Sequence, residues 1–186
     1  VALKNQLNPH FLFNTLNNLY ALALKKSDDT PKVIQKLSEI LDYILYRCND
    51  EFVLLKKEIE LIENYLSLEK IRYADRVKIS FSKKVTGEEK VAPLLLLTFV
   101  ENAFKHGVAN EINQAHIDIN ISKRGGELFF KVANSKPQVI ENKEQKESIG
   151  LSNIKKQLEL LYPKAYDLII ENTTNSFSAN LKLHLI

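Results

Sequence analysis

Apolar residues recur at three- and four-residue intervals in the first part of the chain, a period typical of helices. In the stretch NPHFLFNTLNNLYALAL (8–24) they form a stripe that predicts a helix over residues 1–26. A second stripe over 33–45 predicts a helix that starts near Thr30, and a third predicts a helix over 55–73. The first two helices form a hairpin. Their stripes are too wide to be buried within one hairpin, so we expect dimerisation into a four-helix bundle.

From residue 77 onward, apolar and polar residues alternate with a period of two, which is typical of strands. Strands are predicted over residues 77–84, 115–122, 127–134, 165–172 and 178–186. Two long apolar stretches, 93–108 and 151–161, predict further helices. Residues 136–147 are rich in Lys, Glu, Gln and Asn and predict a mobile loop. The pattern therefore predicts an α+β fold in which a helical hairpin precedes a second domain.

The composition narrows the possible functions. The 186 residues are 45% hydrophobic, enough for one full domain plus a smaller element. The formal net charge of +3 is spread along the chain instead of forming a basic stripe, so direct nucleic-acid binding has little support. The lone Cys48 excludes an internal disulfide and a cysteine-based metal site. No apolar run reaches the roughly 18 residues of a membrane span, and the absence of methionine indicates a piece of a longer protein.

Four polar residues interrupt the apolar helix predicted over 93–108, and burying them is costly unless each is paired. They are Glu101, Asn102, Lys105 and His106. One interpretation is that all four face solvent. The other is that one face of the helix lines a pocket, where Asn102 offers an amide oxygen to Mg²⁺ and Lys105 offers charge to phosphates. Gly150 at a loop-to-helix junction offers backbone N–H groups to an anion, although a helix cap explains this glycine equally well.

Three segments together resemble the LytS-like sensor histidine kinases. NPHFLFNTLNNL is similar to their phospho-acceptor box, VENAFKHG to their N box, and IGLSNIKKQLELLYP to the second glycine box of their ATP-binding domain. LEKIRYADRV (68–77) extends the match, which covers nearly all of the chain in the right order. The resemblance implies a homodimeric helical hairpin over residues 1–54 and an ATP-binding domain over 55–186. The latter would be a GHKL-type α/β sandwich, a mixed sheet with helices on one face.

The resemblance implies that His10 is the phospho-acceptor. Neutral imidazole is a competent nucleophile near pH 7, so His10 would be exposed while Phe11 and Phe13 pack the bundle. Pro9 removes one helical hydrogen bond beside it, which helps to present the ring. The alternative for His10 is a hydrogen-bonded histidine of the core. Asn14, four residues later on the same helical face, would orient water for removal of the phosphoryl group from a response regulator.

The resemblance also implies a set of residues that bind ATP and Mg²⁺. They are Asn102, Lys105, His106, Asn134, Gly150, Leu151 and Asn153. Among these, Asn102 would be the Mg²⁺ ligand, and Lys105 and His106 would contact phosphates. Glu101 would position water or polarise the acceptor, or it would only organise the helix.

Three positions depart from the wider pattern of the resemblance. Phe11 stands where many other sensor kinases have an acidic residue after the acceptor. Thr98 stands four residues before Asn102, where related ATPases have a catalytic glutamate, and this favours a kinase over an ATPase. Asn134 stands in place of an adenine-contacting aspartate and no glycine follows it. An asparagine oxygen still accepts a hydrogen bond from the adenine amino group, so we expect weaker adenine binding.

These observations predict the cytoplasmic catalytic portion of an inner-membrane bacterial sensor protein. It would use ATP and Mg²⁺ to phosphorylate His10 and would pass the phosphoryl group to an aspartate of a response regulator receiver domain. Contact with the membrane would come only from an N-terminal region outside this chain. Two alternatives stay open. One is a degenerate dimeric signalling scaffold with weak or no nucleotide binding, and the other is an ATPase that drives conformational change, which Thr98 disfavours.

Overall fold

The computed structural model describes residues 9–47, 50–85, 88–108, 114–136 and 149–185. Helix α1 (Pro9–Leu24) and helix α2 (Thr30–Asp42) pack against each other as a hairpin. A single π-helical turn, Tyr43–Arg47, continues α2. The hairpin was predicted from the two apolar stripes. The structure adds the π-helical turn, which the three- and four-residue spacing does not indicate.

The rest of the described chain alternates between helices and strands. In order, its elements are β1 (Val53–Leu54), α3 (Leu55–Tyr73), β2 (Val77–Lys84), β3 (Lys90–Val91), α4 (Leu95–Gly107), β4 (Ala115–Arg124), β5 (Glu127–Ser135), α5 (Ile149–Leu161), β6 (Tyr166–Asn172) and β7 (Ser176–His184). The bounds of α3 and β2 are those that the sequence predicts. The two-residue strands β1 and β3 pair with each other and were not predicted, since such short strands show no period.

Strands β2, β4, β5, β7 and β6 form one sheet in that order. Strand β2 runs parallel to β4, and the other neighbours are antiparallel, so the sheet is mixed. Alternate residues of β4 and β5 are buried on one face, where helix α4 packs on β4, β5 and β7. Helix α5 packs beside α4. The α+β fold class and the mixed sheet are therefore confirmed.

Helix α4 begins two residues after its predicted start at Pro93. Leu94 has a φ of 62°, and this left-handed conformation cannot be part of a right-handed helix. The backbone N–H of Leu94 nevertheless donates a hydrogen bond to Oε2 of Glu58 on α3, at 3.0 Å. The start of α4 is thus fixed by a tertiary contact.

The hairpin exposes several large apolar side chains in the single chain. They are Phe13, Leu16, Tyr20, Leu24, Ile34, Leu45 and Tyr46. Phe11 is buried and its ring lies 4.9 Å from that of Tyr65 on α3, whereas Phe13 is 67% exposed. Only one of the two phenylalanines therefore packs within one chain. This leaves an uncovered apolar surface, and dimerisation through it stays a prediction.

One other prediction falls largely outside the described residues. The mobile loop predicted over 136–147 lies outside them apart from Lys136. Among the helices in the described part of the chain, none is both long and apolar enough to span a bilayer.

Candidate functional site

A cavity of about 370 Å³ lies between the sheet and helices α4 and α5. It is lined by Phe99, Asn102, Ala103, His106, Val132, Asn134, Lys136, Leu151, Ile154, Ile170, Asn172, Phe177 and Ala179. Two rows of cross-strand partners form its floor: Val132, Ala179 and Ile170, then Asn134, Phe177 and Asn172. A largely apolar cavity with a few convergent polar groups is typical of small-molecule sites.

Helix α4 contributes one face to this cavity. Phe99, Asn102, Ala103 and His106 are spaced as i, i+3, i+4 and i+7, so they lie on the same side of the helix. Glu101 and Lys105 lie on a different face and are not among the described lining residues. The four polar residues that interrupt the apolar pattern of this helix therefore lie on two different faces of it. Asn102 and His106 belong to the cavity, and Glu101 is directed toward α3, where it interacts electrostatically with Glu69.

Asn134 on β5 is the buried polar side chain of the cavity, with 3% of its surface exposed. Its Nδ2 donates to the backbone oxygen of Ser135 at 2.9 Å. Its Oδ1 is buried and has no hydrogen-bond partner among the described residues. An unpaired buried acceptor is costly. The amide nitrogen thus has a partner, whereas the amide oxygen has none among the described residues.

Gly107, at the end of α4, sets the distance between this helix and Asn134. A Cβ atom added at Gly107 would lie 2.7 Å from both Cβ and Nδ2 of Asn134, closer than real Cβ contacts. The missing side chain therefore allows the helix end to approach β5. The sequence indicated Gly107 only as a helix end, since the contact depends on the tertiary packing of two distant segments.

Lys136 is a cavity residue that the sequence analysis did not identify. Its Nζ donates to Asn172 Oδ1, and to the backbone oxygen of Thr173 at 2.7 Å. Its backbone N–H donates to the oxygen of Asn175 at 2.8 Å. Lys136 therefore brings a positive charge to the cavity and is held there by the turn between β6 and β7.

His106 is the titratable side chain of α4 in the cavity. Partial burial, and next the charge of Lys105, lower the pKa of the His106 imidazole below its ordinary value. The lowered pKa favours the neutral ring, which offers one donor and one acceptor.

The surroundings of Asn102 suit a cation shared with a ligand. In the described ranges, no group of three or more His, Cys, Asp or Glu side chains is arranged to hold a metal. Magnesium in phosphate-binding sites keeps several waters and takes few protein ligands. The Asn102 amide at the cavity therefore fits Mg²⁺ held jointly with phosphates better than an all-protein metal site.

A second polar region lies between α3 and α4, near the start of α1. Glu69 is 2% exposed, and its Oε1 lies 3.5 Å from the Arg72 guanidinium. Burial, opposed by Arg72, raises the pKa of Glu69 to about 7. Burial, and next the charge of Glu69, raise the pKa of Glu101 to about 7. Tyr65, which contacts Phe11, has a pKa raised by burial and by both carboxyls. An acidic pair thus lies where α1 packs on α3.

A third polar group is located at the start of α4. Glu58 on α3 is fully buried, and its Oε1 accepts a hydrogen bond from the Tyr43 hydroxyl at 2.7 Å. Its Oε2 accepts from the backbone N–H of Leu94 at 3.0 Å. Burial outweighs these two bonds and raises the pKa of Glu58 to about 7. Glu58 therefore joins the π-helical turn, α3 and α4.

The other predicted residues are distributed over two elements. His10 is in the first turn of α1, and its side chain lies outside the described residues. Asn14 is partly buried in α1. Gly150 is in the first turn of α5, Leu151 lines the cavity, and Asn153 is exposed. The structure thus brings Asn102, His106, Asn134 and Leu151 together at one cavity.

The sequence is similar to those of known sensor proteins. The profile of the family described as histidine kinase matches residues 1–77. The sensor histidine kinase YpdA of Escherichia coli (strain K12) is 30% identical over 169 residues, which are 87% of this chain and 30% of YpdA. The sensor protein LytS of Streptococcus mutans serotype c is 31% identical over 185 residues, 92% of this chain and 32% of LytS. The chain spans about a third of the length of these relatives.

The fold is also similar to a solved structure. The histidine kinase domain from the Erythrobacter litoralis EL346 blue-light activated histidine kinase matches with a TM-score of 0.55. The match covers 95% of each chain at 12% sequence identity. At this identity the similarity bears on the fold alone, and it supports the arrangement of a helical hairpin followed by a mixed sheet.

Proposed function

The chain belongs to the family of sensor histidine kinases similar to LytS and YpdA, and from this premise we propose that it is the catalytic portion of a two-component kinase. It transfers the γ-phosphoryl group of ATP to His10 and then to an aspartate of a response regulator receiver domain. Residues 1–54 form the dimerisation and phosphotransfer hairpin, and residues 55–186 form the ATP-binding domain.

The observation that carries the proposal is the buried oxygen of Asn134, which has no hydrogen-bond partner among the described residues and belongs to a largely apolar cavity. The adenine 6-amino group is a donor of the right chemistry for this acceptor, and an apolar cavity suits the faces of the ring. Binding of adenine would satisfy the buried oxygen. Leu151 and Ile154 of α5 supply apolar contacts to the ring from the opposite wall.

The triphosphate is held at the ends of two helices. The amide oxygen of Asn102 would hold Mg²⁺, which when bound would supply neutralisation of the phosphate charge. His106 donates to a phosphate oxygen from the last turn of α4, and Lys105, which is exposed on the adjacent face of that turn, adds positive charge near the phosphates. The first turn of α5, which contains Gly150, supplies backbone N–H groups to the same anion, and Asn153 in the next turn offers its side-chain amide.

The transfer itself depends on the acceptor helix. The neutral imidazole of His10 attacks the γ-phosphorus in line with the leaving oxygen of ADP, and the ring proton is then released. Glu101 polarises the acceptor from the acidic pair on α3 and α4. Asn14 orients water when the phosphoryl group is removed from the regulator.

The assembly follows from the hairpin. Two chains associate through the exposed apolar residues of α1 and α2, and the receiver domain docks beside His10. The catalytic portion is located in the cytoplasm as part of an inner-membrane sensor, which a separate region of a longer protein anchors.

Incubation with labelled ATP and Mg²⁺ tests this function. The label is expected on His10 as an acid-labile, base-stable phosphoramidate, and His10→Gln is expected to incorporate none. His184, which is exposed at the end of β7, offers a matched control, since His184→Gln is expected to keep the label. Equal labelling of His10→Gln and the wild type would show that His10 is not the acceptor.

One departure favours a second candidate, a dimeric scaffold with little or no nucleotide binding. Asn134 lacks the charge of an aspartate, which weakens a hydrogen bond to adenine by about 1–2 kcal/mol. Calorimetry separates the two functions. The kinase binds ATP weakly but measurably and prefers it to GTP, whereas no heat of binding at millimolar ATP would support the scaffold.

A further inference from the structure

Lys136 directly follows β5 and continues the alternation of its side chains between the two faces of the sheet. It lies two positions after Asn134, so both side chains project from the same face of the sheet, and both line the cavity. Lys131 on the same strand offers a contrast. It is exposed and lines a groove on the opposite face.

The ammonium group of Lys136 is held in place by the turn between β6 and β7. Its Nζ donates to Asn172 Oδ1 and Thr173 O, and its backbone N–H donates to Asn175 O. An ammonium group has three donors, so these two side-chain bonds, among the described residues, leave one N–H for a ligand. Asn172 also lines the cavity, which places the ammonium at the cavity end of this turn. A donor fixed in this way loses little entropy on binding.

The cavity therefore presents an acceptor and a donor on the same face of one strand. Asn134 Oδ1, for which the described residues offer no donor, is the acceptor, and the Lys136 ammonium is the donor. Between Asn134 and Asn172 in the floor lies Phe177, which offers an apolar surface to a planar ring. This arrangement is complementary to a ring that carries a donor next to an acceptor.

Adenine has this pattern. Its 6-amino group is a donor, and the ring nitrogens N1 and N7 on either side of it are acceptors. Guanine has the acceptor O6 in place of the amino group, so its oxygen would face the oxygen of Asn134. We propose that Lys136 is a specificity-determining residue that donates to a ring nitrogen beside the 6-amino group, while Asn134 accepts from that group. This inference rests on the proposed function, because it assigns ring contacts within the same cavity.

The test uses ATP analogues that each lack one ring nitrogen. Wild type, Lys136→Met and the control Lys131→Met are titrated with ATP, 1-deaza-ATP and 7-deaza-ATP in a calorimeter. Wild type and Lys131→Met are expected to bind ATP roughly tenfold more tightly than one of the two deaza analogues. In Lys136→Met this difference is expected to vanish, because ATP then binds as weakly as that analogue. Loss with 1-deaza-ATP assigns the contact to N1, and loss with 7-deaza-ATP assigns it to N7.

A purely structural role of Lys136 gives a different result. If the lysine only ties β5 to the turn, Lys136→Met weakens all three ligands by the same factor and keeps the wild-type ratio between them, which overturns the inference. Equal binding of all three ligands by the wild type overturns it as well. Circular dichroism and the melting temperature check that each variant is folded, and Lys136→Arg, which retains a donor, is expected to restore part of the ratio.

The failure of the proposed function has its own signature. If the wild type binds neither ATP nor the analogues at millimolar concentration, the kinase proposal fails and this inference with it. If the wild type binds ATP but Lys136→Met keeps the full ratio, only the role of Lys136 is wrong.

Discussion

The two ends of helix α4 each meet a buried polar side chain, and they differ in how that side chain is satisfied. At the N-terminal end, both oxygens of Glu58 accept hydrogen bonds, from Tyr43 and Leu94. At the C-terminal end, the Oδ1 of Asn134 has no partner among the described residues. Both side chains are almost fully buried, so burial alone does not explain the difference. Glu58 is thus satisfied by the fold and the oxygen of Asn134 is not, which fits the adenine contact proposed above.

The contacts at the two ends of α4 together set the position of this helix. Glu58 fixes where α4 begins, and Gly107 fixes how closely its end approaches Asn134. Asn102 and His106 lie between these two points on the face above the sheet. Variants at the two ends are therefore expected to separate stability from binding.

The largest effect on stability is expected at the N-terminal end of α4, where Glu58 accepts two hydrogen bonds. Glu58→Ala removes the carboxyl that accepts from the Tyr43 hydroxyl and from the Leu94 N–H, and it opens a cavity, so the free energy of unfolding should fall by about 3 kcal/mol or more. Urea denaturation measures this change. The near-isosteric Glu58→Gln is the control and should lose much less. A loss below about 1 kcal/mol for Glu58→Ala would mean that these bonds contribute little to the fold.

At the C-terminal end of α4, a substitution of Asn134 is expected to change ATP affinity more than stability. Asn134→Ala removes an acceptor that has no partner in the described part of the chain, so stability should change by less than about 1 kcal/mol. The affinity for ATP should fall roughly ten- to thirtyfold, or about 1.4–2 kcal/mol, because the adenine amino group loses its acceptor. Denaturation and calorimetry on the same preparation compare the two quantities. A large loss of stability with unchanged affinity would reverse the comparison.

A smaller effect is expected where α4 approaches β5. Gly107→Ala places a Cβ 2.7 Å from Asn134, so the helix end or the strand must shift, at a cost of about 1–2 kcal/mol. ATP affinity should fall as well because Asn134 is displaced. Gly126→Ala is the matched control, since nothing lies within 4 Å of a Cβ built there, and its stability should stay within about 0.5 kcal/mol of wild type. Equal stability of the two variants would contradict the close approach.

The smallest effect concerns pH. The pKa of Glu58 is raised from 4.5 to about 7 in the folded chain, so the folded state binds the proton more tightly than the unfolded state. This contribution to stability is complete below pH 4.5 and is lost as the pH rises through about 7. Between pH 6 and 7 the loss should be at most about 1 kcal/mol. Glu69 and Glu101 share this direction, and Glu58→Gln should remove only its own part of the slope. Identical pH profiles of the two proteins would exclude Glu58 as a source.

The sequence predicts the regular elements well, because each depends on a local period. Helix α3 and strand β2 have the predicted bounds, since charged residues interrupt their apolar positions at regular intervals. The strands β1 and β3 and the π-helical turn were not predictable in this way. They are too short for a period and form through contacts with distant segments.

The candidate site shows the same limit. The resemblance indicated Asn102, His106, Asn134 and Leu151, and the structure places all four at one cavity. That Glu101 faces away from Asn102 follows from helical geometry, since successive residues differ by about 100° around the axis. No pattern in the sequence indicated Lys136, because its contacts are made with the turn between β6 and β7. That turn lies beside Lys136 only in the folded sheet.

The hydrogen bonds of Glu58 also give the protein an internal probe. The Leu94 amide proton points at a buried carboxyl that is also bonded to Tyr43 at the end of the hairpin. Its chemical shift and its rate of exchange with deuterium oxide depend on whether that carboxyl stays in place. Movement of the hairpin that draws Tyr43 away therefore changes the signal of one amide at the start of the helix that carries Asn102. A single resonance can thus report, in solution, whether the end of the hairpin stays in contact with the start of α4.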